Sequence, residues 1–229
     1  MSENNIDVPY QNAIGCLMYL VVNSRLDIAY AVSYLSQFNN GHSLEHWNCI
    51  KRVFRYLKAT SDLLLTFKKT NSICIEGYVD ATWGDHQDDR RSHTGFIFKL
   101  AGGPISWETH KQRTIALSSC EAEYMAASEA CKEAVYLRRL ISEVLCDTPK
   151  AVKLFVDNQS AIKIAENPVF HNRTKHIDIR FHFIREVIND GKVKLEYKPS
   201  NEMIADELTK GLGRIKHTQF VRDMGLIRI

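Results

Sequence analysis

The sequence predicts an α/β fold: a mixed sheet with helices against its faces, preceded by a small, mainly helical block. Three observations carry this expectation. Residues 1–70 place apolar side chains at helical spacing, and strand-like runs begin only at residue 73. Two of those runs, residues 73–79 and 152–156, each lead directly into an aspartate, Asp80 and Asp157. From residue 73 onward the order is strands, helix, strand, helix, helix, strand, helix, which suits one mixed sheet with helices packed on it.

In the first block, residues 10–23 set Ile14, Leu17, Met18 and Val21 on one helical face. Residues 27–38 repeat the pattern with Ile28, Val32, Leu35 and Phe38, and Gly41 interrupts it. Ser43-Leu-Glu-His46 opens a third helix running to about residue 57. Its basic face carries Lys51, Arg52, Arg55 and Lys58 beside Trp47, Phe54 and Tyr56. Such a face is ordinarily solvated surface, although a basic helix can also lie along a phosphate backbone. The change of style near residues 69–71 divides the chain into segments 1–70 and 71–229.

In the second segment, residues 94–100 form a strand ended by Ala101-Gly102-Gly103. Residues 104–107 and 114–117 are two short strand pieces, and 121–145 a long helix. Strand 152–156 and helices at about 158–166 and 178–189 follow. Gly191 stops the second of these before strand 192–198. Pro199-Ser200 leads into a last amphipathic helix over 202–212.

The composition is that of a globular protein: 229 residues, 45% hydrophobic and 25% charged. The formal net charge of +3 is nearly balanced within both segments, so nucleic-acid binding would have to come from local patches. The six cysteines form no Cys-x-x-Cys pair and lie mostly in apolar patterns, the usage of reduced, buried thiols in an intracellular protein. The nine histidines show no zinc-module spacing. The polar N-terminus does not read as a signal peptide, and the apolar run 13–22 is too short to span a bilayer.

The acids carry the chemistry. If the strands ending in Asp80 and Asp157 are neighbours, their carboxylates lie side by side, repel, and call for a cation. Hard oxygen ligands of this kind suit Mg²⁺ and phosphate chemistry. A single aspartate after a strand is more often a turn residue or helix cap; two of them, with a glutamate on the long helix, shift the balance. Ser118-Ser-Cys-Glu121 fits a capping box, which gives Glu121 a structural role. Glu123 has no such role. It heads a row of small residues, Ala127, Ala130 and Ala134, that allows close approach to a sheet. Near the C-terminus, Glu202, Asp206 and Glu207 cannot be separated by spacing, since acids also favour the first turns of a helix.

At these residues the chain resembles the ribonuclease H domain of copia-type retrotransposon polyproteins. The resemblance lies in Tyr78-Val-Asp-Ala-Thr-Trp-Gly, Arg90-Arg-Ser-His-Thr-Gly-Phe, Leu117-Ser-Ser-Cys-Glu-Ala-Glu-Tyr, Val156-Asp-Asn-Gln-Ser-Ala, Arg173-Thr-Lys-His-Ile-Asp and Ile204-Ala-Asp-Glu-Leu-Thr-Lys. Residues 10–19, 27–32 and 47–58 resemble the segment that joins the reverse transcriptase of such an element to its ribonuclease H. The resemblance implies a ribonuclease H-like mixed sheet and hydrolysis of the RNA strand of RNA–DNA hybrids. It implies catalysis by four metal-holding acids, Asp80, Glu123 (opening Glu123-Tyr-Met-Ala-Ala), Asp157 and Asp206 (within Asn201-Glu-x-x-x-Asp206-Glu-Leu). Two Mg²⁺ ions, or Mn²⁺ in their place, would sit ~4 Å apart across the scissile phosphate. Arg90, Arg91, Lys111, Arg113, Asn158, Arg173 and Lys175 are the expected hybrid contacts; core packing is the default for Trp83 and Trp107, with a place beneath the site as the alternative. The polymerase domain of the same element is the expected partner, with no membrane, in a cytoplasmic virus-like particle or the nucleus. One loop departs from the pattern of the cellular enzymes, and a motif of the reverse-transcriptase palm is absent. The loop Lys198-Pro-Ser-Asn-Glu202 lacks their histidine, and no Tyr-x-Asp-Asp polymerase motif occurs in the chain. The alternatives are a catalytically silent hybrid-binding module or relic fragment of the polyprotein, and a DNA-preferring nuclease of the same broad fold.

Overall fold

The structure, a computed structural model, describes residues 7–70, 73–84, 89–146, 149–166 and 175–228; for residues 175–181 it describes the backbone alone. The first block folds as α1 (Tyr10–Asn23), a 3₁₀ turn (Leu26–Ile28), α2 (Ala29–Ser36) and α3 (Leu44–Ala59), followed by the short strand β1 (Leu63–Leu65). Ser43 starts α3 with a reciprocal cap: its hydroxyl accepts from the His46 amide, and its own amide donates to His46 Nδ1 at 3.0 Å.

A five-stranded sheet follows in the order β4-β3-β2-β5-β6. Strands β2 (Glu76–Thr82), β3 (His93–Leu100) and β4 (Gly103–Lys111) are antiparallel, and β5 (Val152–Val156) and β6 (Val193–Tyr197) run parallel to β2. Between and after them come α4 (Ser119–Leu145), α5 (Gln159–Glu166), α6 (Lys175–Asn189), a 3₁₀ turn (Ile204–Leu208), α7 (Arg214–Met224) and β7 (Leu226–Arg228). β7 pairs antiparallel with β1, Leu64 opposite Ile227.

The alternation of side chains along each strand divides the interior into two cores. Val79, Ala81, Phe96 and Phe98 face α4, α5 and α6, where Ala127, Ala130 and Ala134 form the expected small-residue row. Tyr78 and Ile97 point the other way, onto a second core of Leu17, Leu26, Val32 and Ile50 from the helical block and Met203, Leu208, Phe220 and Met224 from the end of the chain. The block therefore covers one face of the sheet.

Several elements differ from expectation. Strand β2 runs three residues later than expected, so Asp80 lies within it, because pairing with β3 extends to Thr82 opposite His93. Residues 114–117, expected as a second strand piece, form no strand, and the piece expected at 104–107 is part of the longer strand β4, which ends at Lys111. It is an edge strand and takes Pro104 beside a bulge at Phe98/Lys99, where a missing amide is tolerated. The helix expected over 202–212 is only a 3₁₀ turn, in which Ile204, Ala205, Asp206, Glu207 and Leu208 are all buried. A sequence buried on every side has no solvent face to sustain an amphipathic helix. Among the cysteines, all free, only Cys131 is buried, whereas Cys16 and Cys49 lie on outer helix faces and Cys146 is also exposed.

Candidate metal centre

Val79 of β2 is paired with Val156 of β5 in parallel register, so the next residue of each strand, Asp80 and Asp157, emerges at the same end of the sheet. Glu123 reaches them from the first turns of α4. Its Oε1 accepts from the Ala81 amide at 3.2 Å, which ties the helix to the strand carrying Asp80. The Ser118 hydroxyl caps α4 by accepting from the Glu121 amide, and Glu121 folds back to accept from Leu117 N at 2.8 Å. That half-box occupies Glu121 and leaves Glu123 to point inward.

Carboxylate oxygens of Asp80, Glu123 and Asp157 lie within 4.8 Å of one another, close enough to share one ion. Asp80 and Glu123 are buried, and Asp157 is partly open to solvent. Glu123 Oε2 is buried with no hydrogen-bond partner among the described residues. A lone pair left unmatched in the interior fits a missing cation better than a finished protein contact. Burial pushes the Asp80 carboxyl up to about 6, against the pull of Lys210 and with added repulsion from Asp206. Glu123 is raised well above the glutamate range, first by burial, then by Asp80 and Asp157. Each proton taken up relieves a charge that a divalent ion would neutralise directly.

Asp206 lies outside that set of three. Its carboxylate is held by Lys210 at 2.9 Å and Lys216 at 2.7 Å, and Lys210 also reaches Asp80 Oδ2 at 3.4 Å. Lys210 thus stands between the trio and the fourth acid. The Thr209 hydroxyl donates to Asp80, and Ser200 donates to Asp157 at 2.6 Å. Spacing alone did not flag Lys210, Thr209, Lys216 or Ser200. The available signal was Asp206 to Lys210 at i,i+4.

The expected hybrid contacts are only partly placed. Arg90 is exposed, with a left-handed backbone, and Arg113 is exposed. Lys111 pairs with Asp89 at 2.6 Å, and Arg91 approaches the same carboxylate at 3.8 Å. Asn158 caps α5 by accepting from the amides of Ser160 and Ala161. Arg173 and the side chain of Lys175 lie outside the described residues. Trp83 is 56% exposed, with its indole N–H donated to Ala116 O. Trp107 packs against the second core and donates to Val21 O. Trp107 thus takes the core packing that is its default, whereas Trp83 is exposed.

No family model matches the chain. Over 213 residues, 93% of its length, it is 42% identical to the retrovirus-related Pol polyprotein from transposon TNT 1-94 of Nicotiana tabacum. Over most of its length the chain is similar to copia-type retrotransposon Pol polyproteins. It spans 16% of the length of that relative. A fold likeness extends to the foamy viral protease-reverse transcriptase in complex with dsDNA, with TM-score 0.51 and 14% identity over 86% of this chain and 40% of that one. LC11-RNase H1 in complex with an RNA/DNA hybrid matches at TM-score 0.45 and 15% identity, over 59% of this chain and 93% of that one. The chain has a mixed five-stranded sheet flanked by helices, with a helical block before it. Among the described residues no helix is long and apolar enough to cross a membrane.

Proposed function

We propose that this chain is a metal-dependent endoribonuclease that cleaves the RNA strand of RNA–DNA hybrids. The observation that supports it most is the trio Asp80, Glu123 and Asp157, drawn from two strands and a helix, with oxygens within 4.8 Å and one buried oxygen unmatched. Bound Mg²⁺, or Mn²⁺, would supply an activated water and neutralise charge on the leaving 3′ oxygen. The chain's own residues hold the acids for that task. The Ala81 amide orients Glu123, Thr209 fixes Asp80, and Ser200 turns Asp157. Asp206 joins them as the fourth acid once Lys210 gives way. Arg90, Arg91, Lys111, Arg113, Asn158, Arg173 and Lys175 are proposed to line the duplex, whose RNA strand is distinguished by its 2′-hydroxyls across a wide, shallow minor groove. The polymerase domain of the same element is the proposed partner, inside the cell, in a cytoplasmic particle or the nucleus.

The test is purified chain with a labelled hybrid and Mg²⁺. Cleavage of the RNA strand is expected, lost on adding chelator and lost in Asp157→Asn; intact RNA, or undiminished cleavage by that variant, defeats the reading. One observation favours a silent hybrid-binding module: Asp206 already has two lysine partners, one of them shared with Asp80. Cleavage by Lys210→Met but not by the unaltered chain would decide for that alternative.

A further inference from the structure

A second polar cluster lies behind the candidate metal centre, made by residues from both ends of the chain. Arg25 grips Asp27 through two bonds, Nε to Oδ1 at 2.9 Å and Nη2 to Oδ2 at 2.7 Å, and the Asp27 side chain is wholly buried. Arg25 also donates to the Thr60 hydroxyl at 2.7 Å and the Thr60 carbonyl at 3.1 Å. Tyr56 donates its one hydroxyl proton to Asp27 Oδ2 at 2.7 Å. That phenol oxygen lies 3.0 Å from His217 Nε2, and His217 Nδ1 is bonded to Glu207 Oε1. Since the Tyr56 proton is already given to Asp27, His217 is the donor to Tyr56, and an imidazolium satisfies both its bonds. The chain then reads Arg⁺, Asp⁻, Tyr, His⁺, Glu⁻, balanced in charge.

Glu207 is the residue after Asp206 in the 3₁₀ turn, and His217 is the residue after Lys216 on α7. Consecutive residues of α7 therefore hold consecutive residues of the turn, Lys216 on Asp206 and His217 on Glu207. The turn is also held by the Thr109 hydroxyl, which donates to Leu208 O at 2.5 Å. Glu207 Oε2 is buried without a hydrogen-bond partner among the described residues, while the bonds named above tie the turn to α7 and to the helical block more directionally than apolar packing would.

We propose that the helical block positions Asp206 for metal binding through the relay Arg25–Asp27–Tyr56–His217–Glu207. The proposal rests on the metal-binding part of the nuclease reading, because Asp206 needs a defined position only if it binds an ion. Tyr56 and His217 are positioning residues and touch neither substrate nor metal. Groups that orient a metal site from behind are worth about 10–100-fold in metal affinity.

The test is isothermal titration of the full-length chain with Mn²⁺ in the absence of nucleic acid, beside the Mg²⁺ dependence of hybrid cleavage. Tyr56→Phe keeps the ring and breaks the relay at its centre. It is expected to weaken Mn²⁺ binding about tenfold, to raise the Mg²⁺ needed for half-maximal cleavage by a similar factor, and to leave KM for the hybrid unchanged. Glu207→Gln keeps an oxygen for His217 and is expected to fall between Tyr56→Phe and the unaltered chain, whereas Glu207→Ala falls at or below Tyr56→Phe. If Tyr56→Phe does not fold, the two Glu207 variants carry the test. Unchanged Mn²⁺ affinity in the folded variants, whatever their melting temperatures, overturns the relay and leaves the nuclease reading standing. Weaker Mn²⁺ binding in a chain that cleaves no hybrid upholds the relay and defeats the nuclease.

Discussion

At the scale of single residues, the candidate metal centre is a place where folding works against charge. Asp80 is 2% exposed and its carboxyl is pushed up to about 6 by burial. A carboxyl whose folded pKa lies above its ordinary value binds protons more tightly in the folded state. Its penalty is therefore absent below the ordinary value of 3.8 and grows as the pH rises through about 6. Asp80→Asn is expected to raise the melting temperature of the metal-free chain at pH 7.5 while abolishing cleavage; a lower melting temperature at that pH would contradict the assignment. Gly95 lies opposite Asp80 in the ladder. A Cβ there would come within 2.7 Å of Leu208 Cβ and Thr209 Cγ2, in the segment that carries Asp206 and the Asp80 donor. Gly95→Ala is expected to destabilise the fold by about 1–3 kcal/mol and to weaken Mn²⁺ binding, measured by chemical denaturation and calorimetry. The sequence showed Asp80 and Asp157 because strand ends advertise their acids. It did not show Lys210, whose position between two carboxylates arises only when β2 and the 3₁₀ turn meet.

Among the elements, α4 is pinned to the edge strand β4 by His110, which lies 3.0 Å from Glu108 on its own strand and 2.9 Å from Glu129 on the helix. Hydrogen bonds to Glu108 and then Glu129 raise the imidazole to about 9. A raised histidine contributes stability that is complete below its ordinary 6.5 and is lost as the pH climbs through about 9. Stability measured by urea denaturation should therefore decline from pH 7 to pH 9.5, and His110→Gln should flatten that decline; an unchanged slope would remove His110 as its cause. The long helix, the central strands and α1 were legible because their apolar spacing runs over many residues. β1 and β7 were not, since each has three residues and is a strand only by virtue of the other. α7 was missed for a similar reason: it packs with Phe220, Val221 and Met224 but begins with Ile215 exposed, which blurs the period.

Across the whole molecule, the boundary near residue 70 marks a change in sequence style, and the second core crosses it. Tyr78, Ile97, Met203, Leu208 and Phe220 are buried together with Leu17, Leu26 and Ile50. Residues 71–229 expressed alone would present that apolar face to water, and chains with such patches associate. They are expected to aggregate or melt far below the full chain, read by size-exclusion chromatography and circular dichroism. A monomeric, equally stable fragment would establish residues 71–229 as a domain in its own right. This interlocking was not legible in the sequence, because nothing in an amphipathic helix names the surface it will cover.

The pairing of β1 with β7 has a consequence for synthesis on the ribosome. The helices of the first block leave the exit tunnel long before Phe220, Met224 and Leu226 are made, and at typical elongation rates the delay is roughly 10–30 s. For that interval the apolar face of the first block waits for its cover, and β1 stays unpaired until β7 has been made.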